Sequence, residues 1–460
     1  MLRVYNTLTG KEEDFKPLNK GKVKMYVCGI TPYDSCHIGH ARCYVTFDVI
    51  RRYLEFKKYE VTYVQNFTDI DDKIIRRSQE LGISAYDLAT KYIDEFFEVM
   101  DALSIKRASH YPRVTDNMED IISAVQKLIE KDTAYELDGN VYFKVRSFKD
   151  YGKLSKRNIE DLESGARVEI NEDKNDPLDF ALWKKAKEDE PFWESPWGRG
   201  RPGWHIECSV LSTKYLGETL DIHGGGADLI FPHHENEIAE TESITNKNYV
   251  KYWMHNGFVT VDKEKMSKSL GNISSLKDIF KRYNPLALRL FLLGQHYRSP
   301  LEFSFDNLEE NTKRLEGFID LERKIKTYEG KKELLQIQEI DNIEKEFILS
   351  MENDFNTAKA LSSLHALADY ANKHINLSGQ VDQYAYTTWQ RVKKLGNILG
   401  LFEKGVDDSV DESIKAKIDE RETARKNKDW KKADEIRDEL ESQGIVLEDT
   451  PRGVRWKKKI

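Results

Sequence analysis

Cysteine is scarce in this 460-residue chain: Cys28, Cys36, Cys43 and Cys208 are the only four. So few thiols argue against a disulfide scaffold and for a reducing compartment. Long apolar runs are missing too. No stretch approaches the ~20 apolar residues of a membrane span, and the opening Met-Leu-Arg-Val-Tyr-Asn-Thr has no h-region of a secretory signal. Positive charge is not in excess either: 72 Lys and Arg stand against 80 Asp and Glu, a formal charge of −8. A nucleic-acid partner would have to be held by local basic patches on an acidic body. Internal repeats and low-complexity tracts are also absent. What remains, 39% hydrophobic and 33% charged residues, is the composition of a cytoplasmic globular protein of about three domains.

The segment Lys22 to Gly29 (KVKMYVCG) is a short apolar run that reads as a buried strand. A turn at Thr31-Pro32-Tyr33-Asp34 follows, then a helical period from about His40. A second strand, Glu60 to Gln65, leads into helical pattern that continues to about Lys131. Strand, Gly-containing loop, helix and strand make a parallel-sheet unit. From Thr133 to Glu194 the texture turns charged and irregular, with a hairpin turn at Asp138-Gly139-Asn140. Strand texture returns at Thr219 to His223, a helix is expected from about His233, and Lys251 to Val261 reads as a strand. After about Asp306 the chain is helical throughout, with bundle-like faces near Leu308 to Tyr328, Ile340 to Ile375 and Tyr384 to Leu401. Gly405 to Glu412 reads as an acidic linker. A small charged module follows, ending in a tail with Arg452, Arg455, Lys457, Lys458 and Lys459 beside Trp456.

Two short motifs carry phosphate chemistry. His37-Ile38-Gly39-His40 sits where the first strand hands over to a helix N-terminus, which favours anions. Gly39 leaves room for an adenine ring that a Cβ would block. Lys265-Met266-Ser267-Lys268-Ser269 is a polar loop whose Lys265 and Lys268 can meet charge building on phosphates. A third set suits a metal ion. Glu237 lies four residues after His233 and three after His234, so either imidazole shares its helix face. Cys28 and Cys208 would complete a set of two thiolates, an imidazole and a carboxylate, which suits zinc. Cys36 and Cys43 have no such company and read as structural.

With both phosphate motifs in this order, the chain resembles the class I aminoacyl-tRNA synthetases. The residues Cys28, Cys208 and His233-His234-Glu235-Asn236-Glu237 narrow the resemblance to the cysteinyl-tRNA synthetase family. It runs from Met1 to the basic tail. It implies an α/β fold: a Rossmann-like parallel-sheet catalytic domain with an insertion, a helical bundle and a small C-terminal module. The expected boundaries are 1–132 and 195–305 for the two catalytic halves, 133–194 for the insertion, 306–404 for the bundle and 405–460 for an anticodon-binding module. The family alignment chooses His233 as the imidazole ligand of Zn2+, one ion per chain. It places Gly29, Thr31, Thr68, Trp204 and His223 on the amino acid. The run His223-Gly224-Gly225-Gly226-Ala227-Asp228 suits a ribose through Asp228. Thr68 as a helix N-cap and Trp204 as core packing are the competing readings.

The resemblance implies ATP with Mg2+, L-cysteine and tRNA(Cys) as substrates of a cytoplasmic monomer with no membrane attachment. A zinc ion would select the cysteine thiolate over the serine hydroxyl, which pockets of shape alone discriminate by only ~10²-fold. Lys73-Ile74-Ile75-Arg76-Arg77 resembles a motif linked in some members to a pyridoxal-dependent persulfide activity, or is a solvated helix face. Two rivals are weighed against this reading. One is a cysteine ligase of the mycothiol-pathway type, which lacks the C-terminal module. The other is an inactive paralogue that only binds RNA.

Overall fold

The computed structural model describes residues 1–159, 174–261, 264–265, 275–403, 412–442, 445–450 and 453–458. Strands β1 (Arg3–Asn6) and β2 (Lys11–Asp14) pair antiparallel ahead of the first core strand, β3 (Lys22–Ile30). There follow α1 (Ile38–Phe56), β4 (Glu60–Phe67), α2 (Asp72–Leu81), α3 (Ala85–Ala102) and α4 (Met118–Glu130). Next come β5 (Ala134–Leu137), β6 (Asn140–Phe143), β7 (Phe180–Lys185) and β8 (Gly200–Pro202), then α5 (Trp204–Leu216), β9 (Leu220–Gly226), α6 (Glu235–Thr245) and β10 (Val250–Asn256). Strands β11 (Val259–Val261), β12 (Glu264–Lys265) and β13 (Leu301–Phe303) form a small sheet, with α7 (Leu276–Phe280) and α8 (Pro285–Leu293) inserted before β13.

The central sheet has the order β10-β9-β3-β4 and every pairing in it is parallel. Alternate residues of β3 enter opposite cores: Val23, Met25 and Val27 pack with α1 and the bundle, Tyr26 and Cys28 with the other layer. Burial on both faces is why this strand reads as an unbroken apolar run. The chain leaves β3 for β4 on one side, and β9 lies on the other. The strand order therefore reverses between β3 and β9, and the crevice beyond their carboxyl ends is where such sheets bind ligands.

The segment read as irregular is an antiparallel sheet, β5-β6-β7-β8. Asp138 and Gly139 have φ of 49° and 80°, the paired positive values of a type I′ hairpin turn. The expected strand 251–261 divides into β10 and β11 at Gly257, whose backbone N–H bonds the Tyr297 carbonyl at 2.8 Å.

The bundle consists of α9 (Phe305–Lys326), α10 (Gln338–Glu352), α11 (Thr357–Lys373) and α12 (Gln383–Ile398). The apolar period read as continuous from Ile340 to Ile375 is broken at Asp354 and Phe355, with φ of 54° and 51°. The buried Asp354 carboxylate accepts from Tyr5 N and Tyr297 Oη, both at 2.8 Å, and from Arg298 Nε at 2.6 Å. Those three donors offset the strain of the left-handed turn and fasten the bundle to the first strand. Beyond it lie α13 (Glu412–Lys426), α14 (Trp430–Ser442) and a hairpin of β14 (Ile445–Thr450) with β15 (Gly453–Lys458). Arg455, Trp456, Lys457 and Lys458 are thus strand residues rather than a frayed tail. The expected acidic linker falls almost wholly outside the described residues.

A buried ion cluster ties α1 to α8. Asp48 accepts from Arg52 Nε at 2.7 Å, from Arg289 Nη2 and from Lys106 N at 2.9 Å. Arg289 spends its other donors on the Leu399 and Leu103 carbonyls. Burial opposes the Asp48 charge, but Arg289 and Arg52 outweigh it and hold the carboxyl below its usual range. Asp48→Asn is expected to destabilise the protein by roughly 3–5 kcal/mol, because the buried Arg289 guanidinium loses its counter-charge, while Arg52 keeps only its ion pair with Glu403. A lowered folded pKa gives stability that is full above the unfolded value of ~3.9 and lost as pH falls through the folded one. Thermal melts at neutral pH should show the gap between wild type and variant, and melts in acid should show it closing.

Candidate active site and metal centre

The switch-point crevice collects residues from four elements. Cys28 and Gly29 end β3, His223 sits in β9, Trp204 and Cys208 open α5, and His233 and Glu237 flank the start of α6. Cys28, His233, His234 and Glu237 are all buried, with one donor atom of each within 4.8 Å of the others. Glu237 Oε1 lies 3.1 Å from His233 Nε2, 3.9 Å from His234 Nε2 and 3.7 Å from Cys28 Sγ. Cys28 Sγ is 3.2 Å from His234 Nε2. Cys208 joins through Cys28, with the two sulfurs 3.9 Å apart and no disulfide between them. Both imidazoles at positions 233 and 234 therefore converge on the same point, and the choice between them stays open in the geometry.

Burial favours the uncharged forms of the Cys28 thiol and of both imidazoles. It pushes the Cys28 thiol up, with Cys208 and Glu237 adding to the shift. It also pushes the His233 and His234 imidazoles down. Two thiols, two imidazoles and a carboxylate in a dry pocket form a donor set for a soft divalent cation, whose charge would reverse that balance. The residues behind the ligands suit that role. His205 Nδ1 lies 2.9 Å from His233 Nδ1, and His255 Nε2 lies 2.8 Å from His234 Nδ1. His255 in turn meets Thr7 Oγ1 at 2.8 Å. Burial pushes both backing imidazoles down to about 3, so they stay neutral and can accept a ring N–H from the imidazole in front. Glu237 Oε2 is held by His223 Nε2 at 2.8 Å and Tyr249 Oη at 3.1 Å. The sequence reading passed over His205 and His255. The available signals were His205 lying three residues before Cys208 on one helix face and His255 alternating with Trp253 on β10.

The residues expected around the amino acid are distributed unevenly. Trp204 is not core: it is 40% exposed and stacks on His233 at 4.3 Å and 20°. Thr68 is not a helix cap, since Asp71 caps α2 through Lys73 N. Its hydroxyl accepts from Asn66 Nδ2 at 3.3 Å, and Asn66 Oδ1 accepts from Gly29 N at 2.9 Å. Gly29 is obligatory there, because a Cβ would fall 1.5 Å from the Asn66 carbonyl oxygen. Thr31 takes part in the turn through its carbonyl, which accepts from Tyr33 N. His223 is fully buried behind Glu237 and stacks on Trp253 at 4.5 Å. Asp228 is exposed just beyond β9; burial pushes the Cys43 thiol up, and the Asp228 charge adds to the shift.

His37 and His40 do cap α1. His37 Nδ1 accepts from Gly39 N at 3.1 Å, and His40 Nδ1 accepts from His37 N at 3.3 Å. Their rings stack at 3.8 Å. Because each Nδ1 accepts, each neutral ring carries its proton on Nε2 and presents a donor at the helix N-terminus. Capping is thus compatible with anion binding at this helix N-terminus. A side chain at Gly39 would meet the His37 ring at 2.9 Å, so this glycine serves the capping geometry as well. Lys265 lies in β12, and only its backbone is described. Lys268 lies outside the described residues. The segment after them returns to the first motif, where Leu276 N bonds the Cys36 carbonyl at 2.8 Å and Ser275 pairs with His37.

Residues 14–313 match the sequence profile of the class I (C) tRNA synthetase catalytic domain. Residues 346–403 match the DALR domain, and residues 407–456 match the cysteinyl-tRNA ligase anticodon binding domain. The chain is 51% identical to the cysteine–tRNA ligase of Carboxydothermus hydrogenoformans, over 99% of this chain and 100% of that one. It is 50% identical to that of Thermococcus gammatolerans, over 99% of each.

The chain belongs to the cysteine–tRNA ligase family of class I synthetases.

Solved structures of other class I members share the fold. A methionyl-tRNA synthetase of Mycobacterium tuberculosis, in complex with methionyl-adenylate, superposes with a TM-score of 0.61 at 15% identity, covering 82% of this chain and 90% of that one. The ternary LeuRS-tRNA-LeuAMS complex from Agrobacterium radiobacter gives 0.61 at 11% identity, covering 84% of this chain and 85% of that one. The full-length similarity to cysteine–tRNA ligases, together with the anticodon-domain match at residues 407–456, favours neither the mycothiol-type reading nor the inactive RNA-binding reading. Among the described residues no helix is long and apolar enough to cross a membrane.

Proposed function

We propose that the chain activates L-cysteine with ATP to cysteinyl-adenylate and pyrophosphate, then transfers the cysteinyl group to the 3′ end of tRNA(Cys). The observation that supports this most is the meeting, at one sheet switch point, of a buried Cys/His/Glu cluster with a histidine-capped helix N-terminus. In this reading His37 and His40 present Nε2–H donors to the ATP phosphates, Gly39 admits the adenine, and Asp228 takes the ribose. Lys265 and Lys268 meet the negative charge that builds as the cysteine carboxylate oxygen attacks the α-phosphate and pyrophosphate leaves with Mg2+. Gly29, Thr31, Thr68, Trp204 and His223 surround the amino acid.

Cys28, Cys208, His233 and Glu237 would hold one Zn2+ per chain, with His234 the alternative imidazole. When bound, the ion supplies a soft Lewis acid that prefers a thiolate to a hydroxyl. The chain's own residues do the rest. They hold the donors dry, and the backing histidines keep each front ring's Nε2 unprotonated. Trp204 stacks over one imidazole at the pocket mouth.

The proposed organisation is a catalytic domain in two halves, 1–132 and 195–305, with the insertion 133–194, a bundle over 306–404 and an anticodon module over 405–460. The setting is a cytoplasmic monomer. Deleting residues 406–460 is expected to leave pyrophosphate exchange near normal while tRNA charging falls through a raised KM for tRNA. In the intact protein charging should weaken as salt rises, since phosphate contacts are screened. Steady-state charging of a tRNA(Cys) transcript checks both. Equal charging by the truncated and full chains would remove the module from tRNA recognition.

A further inference from the structure

A buried cation stands beside the His37 motif without a counter-charge among the described residues. Arg42 lies on α1 two residues after His40 and is 1% exposed. Burial alone shifts its pKa, down to about 10, so the group remains charged at neutral pH. Its partners are carbonyl oxygens. Nη1 donates to Leu292 at 2.9 Å, and Nη2 lies 2.9, 3.0 and 3.3 Å from the carbonyls of His296, Ser299 and Tyr297. Leu292 belongs to the last turn of α8, where carbonyls lack partners within the helix and form the negative end of its dipole. Arg42 Nε is buried with no partner among the described residues. An uncompensated charge and an unpaired N–H both oppose stability, so stability alone does not account for an arginine here.

The loop held by this guanidinium leads to the second motif. Ser299 comes just before β13, which pairs parallel with β11, and β11 pairs antiparallel with β12. Within these pairings Thr260 faces Glu302 on one side and Lys265 on the other. Gly257 grips the same loop, since its N–H bonds the Tyr297 carbonyl that Arg42 also approaches. A Cβ at Gly257 would lie 2.6 Å from the Ser299 carbonyl oxygen and 2.7 Å from that of Arg298, so the two backbones meet only at glycine. Leu301 N then bonds the Phe258 carbonyl at 2.9 Å, at the start of the β11–β13 pairing. One side chain on the helix of His37 and His40 thus fixes the loop from which the backbone of Lys265 hangs, through two strand pairings.

We propose that Arg42 is a positioning residue for adenylate formation: through residues 294–299 it sets the β11–β12 pairing, and with it the backbone of Lys265, relative to the His37–His40 end of α1. The inference rests on the reading of Lys265 as a residue that meets the ATP phosphates. Leu276 N on the Cys36 carbonyl joins the two motifs downstream of Lys265, and Arg42 joins them upstream. The geometry calls for a guanidinium. Its two terminal nitrogens reach Leu292 on one side and His296, Ser299 and Tyr297 on the other. A lysine carries the same charge on a single nitrogen and cannot span them.

Single-turnover adenylate formation by the full chain, with L-cysteine and ATP, tests this beside calorimetric titration with cysteine. Arg42→Lys should slow adenylate formation at saturating ATP by about 10- to 100-fold, the scale of a ~1 Å misplacement. The Kd for cysteine should not change. The decisive readout is a double-mutant cycle with Lys265→Ala. Because Arg42 acts through Lys265, Arg42→Lys should slow the reaction by less than about 3-fold once Lys265 is alanine. Gly257→Ala displaces the same loop at the Ser299 and Arg298 carbonyls. It should show the same slowing and the same non-additivity, which keeps the question decidable if Arg42→Lys does not fold. Losses that multiply in the double variants, or a slowed rate matched by weakened cysteine binding, would reduce Arg42 to a structural clamp and overturn the proposal. So would an unchanged rate in either folded single variant. A wild-type protein that forms no cysteinyl-adenylate, or a Lys265→Ala variant that forms it at the wild-type rate, would instead sink the underlying reading of the site.

Discussion

Cys208→Ser is expected to strip the protein of its metal and to lower cysteine-dependent pyrophosphate exchange on the order of 10²-fold or more. The lower bound comes from the 10- to 100-fold that loss of a supporting group alone costs a metal site. The substitution is nearly isosteric, but a serine hydroxyl does not ionise near neutral pH and is a harder donor than a thiolate. Cys208 Sγ lies 3.9 Å from Cys28 Sγ and is 2% exposed, so no solvent-borne group can take its place. The fold should survive, because Cys208 packs among side chains that a hydroxyl does not displace. Elemental analysis of the gel-filtered variant should fall from about one zinc per chain towards none, with an unchanged circular dichroism spectrum. A variant that retains zinc and activity would remove Cys208 from the ligand set and leave Cys28, His233, His234 and Glu237 as the donors.

The second large effect is expected at Lys268. Lys268→Ala should slow cysteinyl-adenylate formation about 10²-fold or more, equivalent to the ~3–4 kcal/mol lost with one preorganised donor. Cysteine affinity should change little, because the ammonium meets charge that is present only as pyrophosphate departs. The hydrogen bond from Leu276 N to the Cys36 carbonyl brings the chain that follows this loop back to the His37 motif. Single-turnover kinetics separate the two quantities. A variant that loses cysteine binding while keeping its rate of adenylate formation would show that the lysine serves binding instead.

How far the sequence could be read follows from how local each constraint is. Strand β3 was legible because burial on both faces leaves a continuous apolar run, and the hairpin at Asp138-Gly139 because its turn needs two positive φ values. The buried Cys/His/Glu group could be read from the sequence because cysteine and histidine are scarce, and the i,i+4 spacing of His233 and Glu237 puts them on one face. The backing pairs His205–His233 and His234–His255 could not be, since contacts between α5, α6 and β10 leave no spacing rule along the chain. Asn66 escaped notice for a similar reason. It sits inside a strand, and its value lies in reaching Gly29, Thr68 and Cys208 at once. The break between α10 and α11 was hidden because both helices keep the same apolar period, and the donors that hold Asp354 come from residues 5, 297 and 298. The strand β15 was masked by its own charge, since a basic run resembles a solvated terminus until its pairing with β14 is known.

The central claim is that this crevice activates cysteine, and amino-acid-dependent ATP–pyrophosphate exchange tests it most directly. Each standard amino acid is offered in turn to the zinc-loaded protein with ATP and labelled pyrophosphate. The account predicts exchange with cysteine alone, with serine lower by well over the ~10²-fold that shape discrimination supplies. Exchange supported equally by serine or by any other amino acid, or by none, would contradict it.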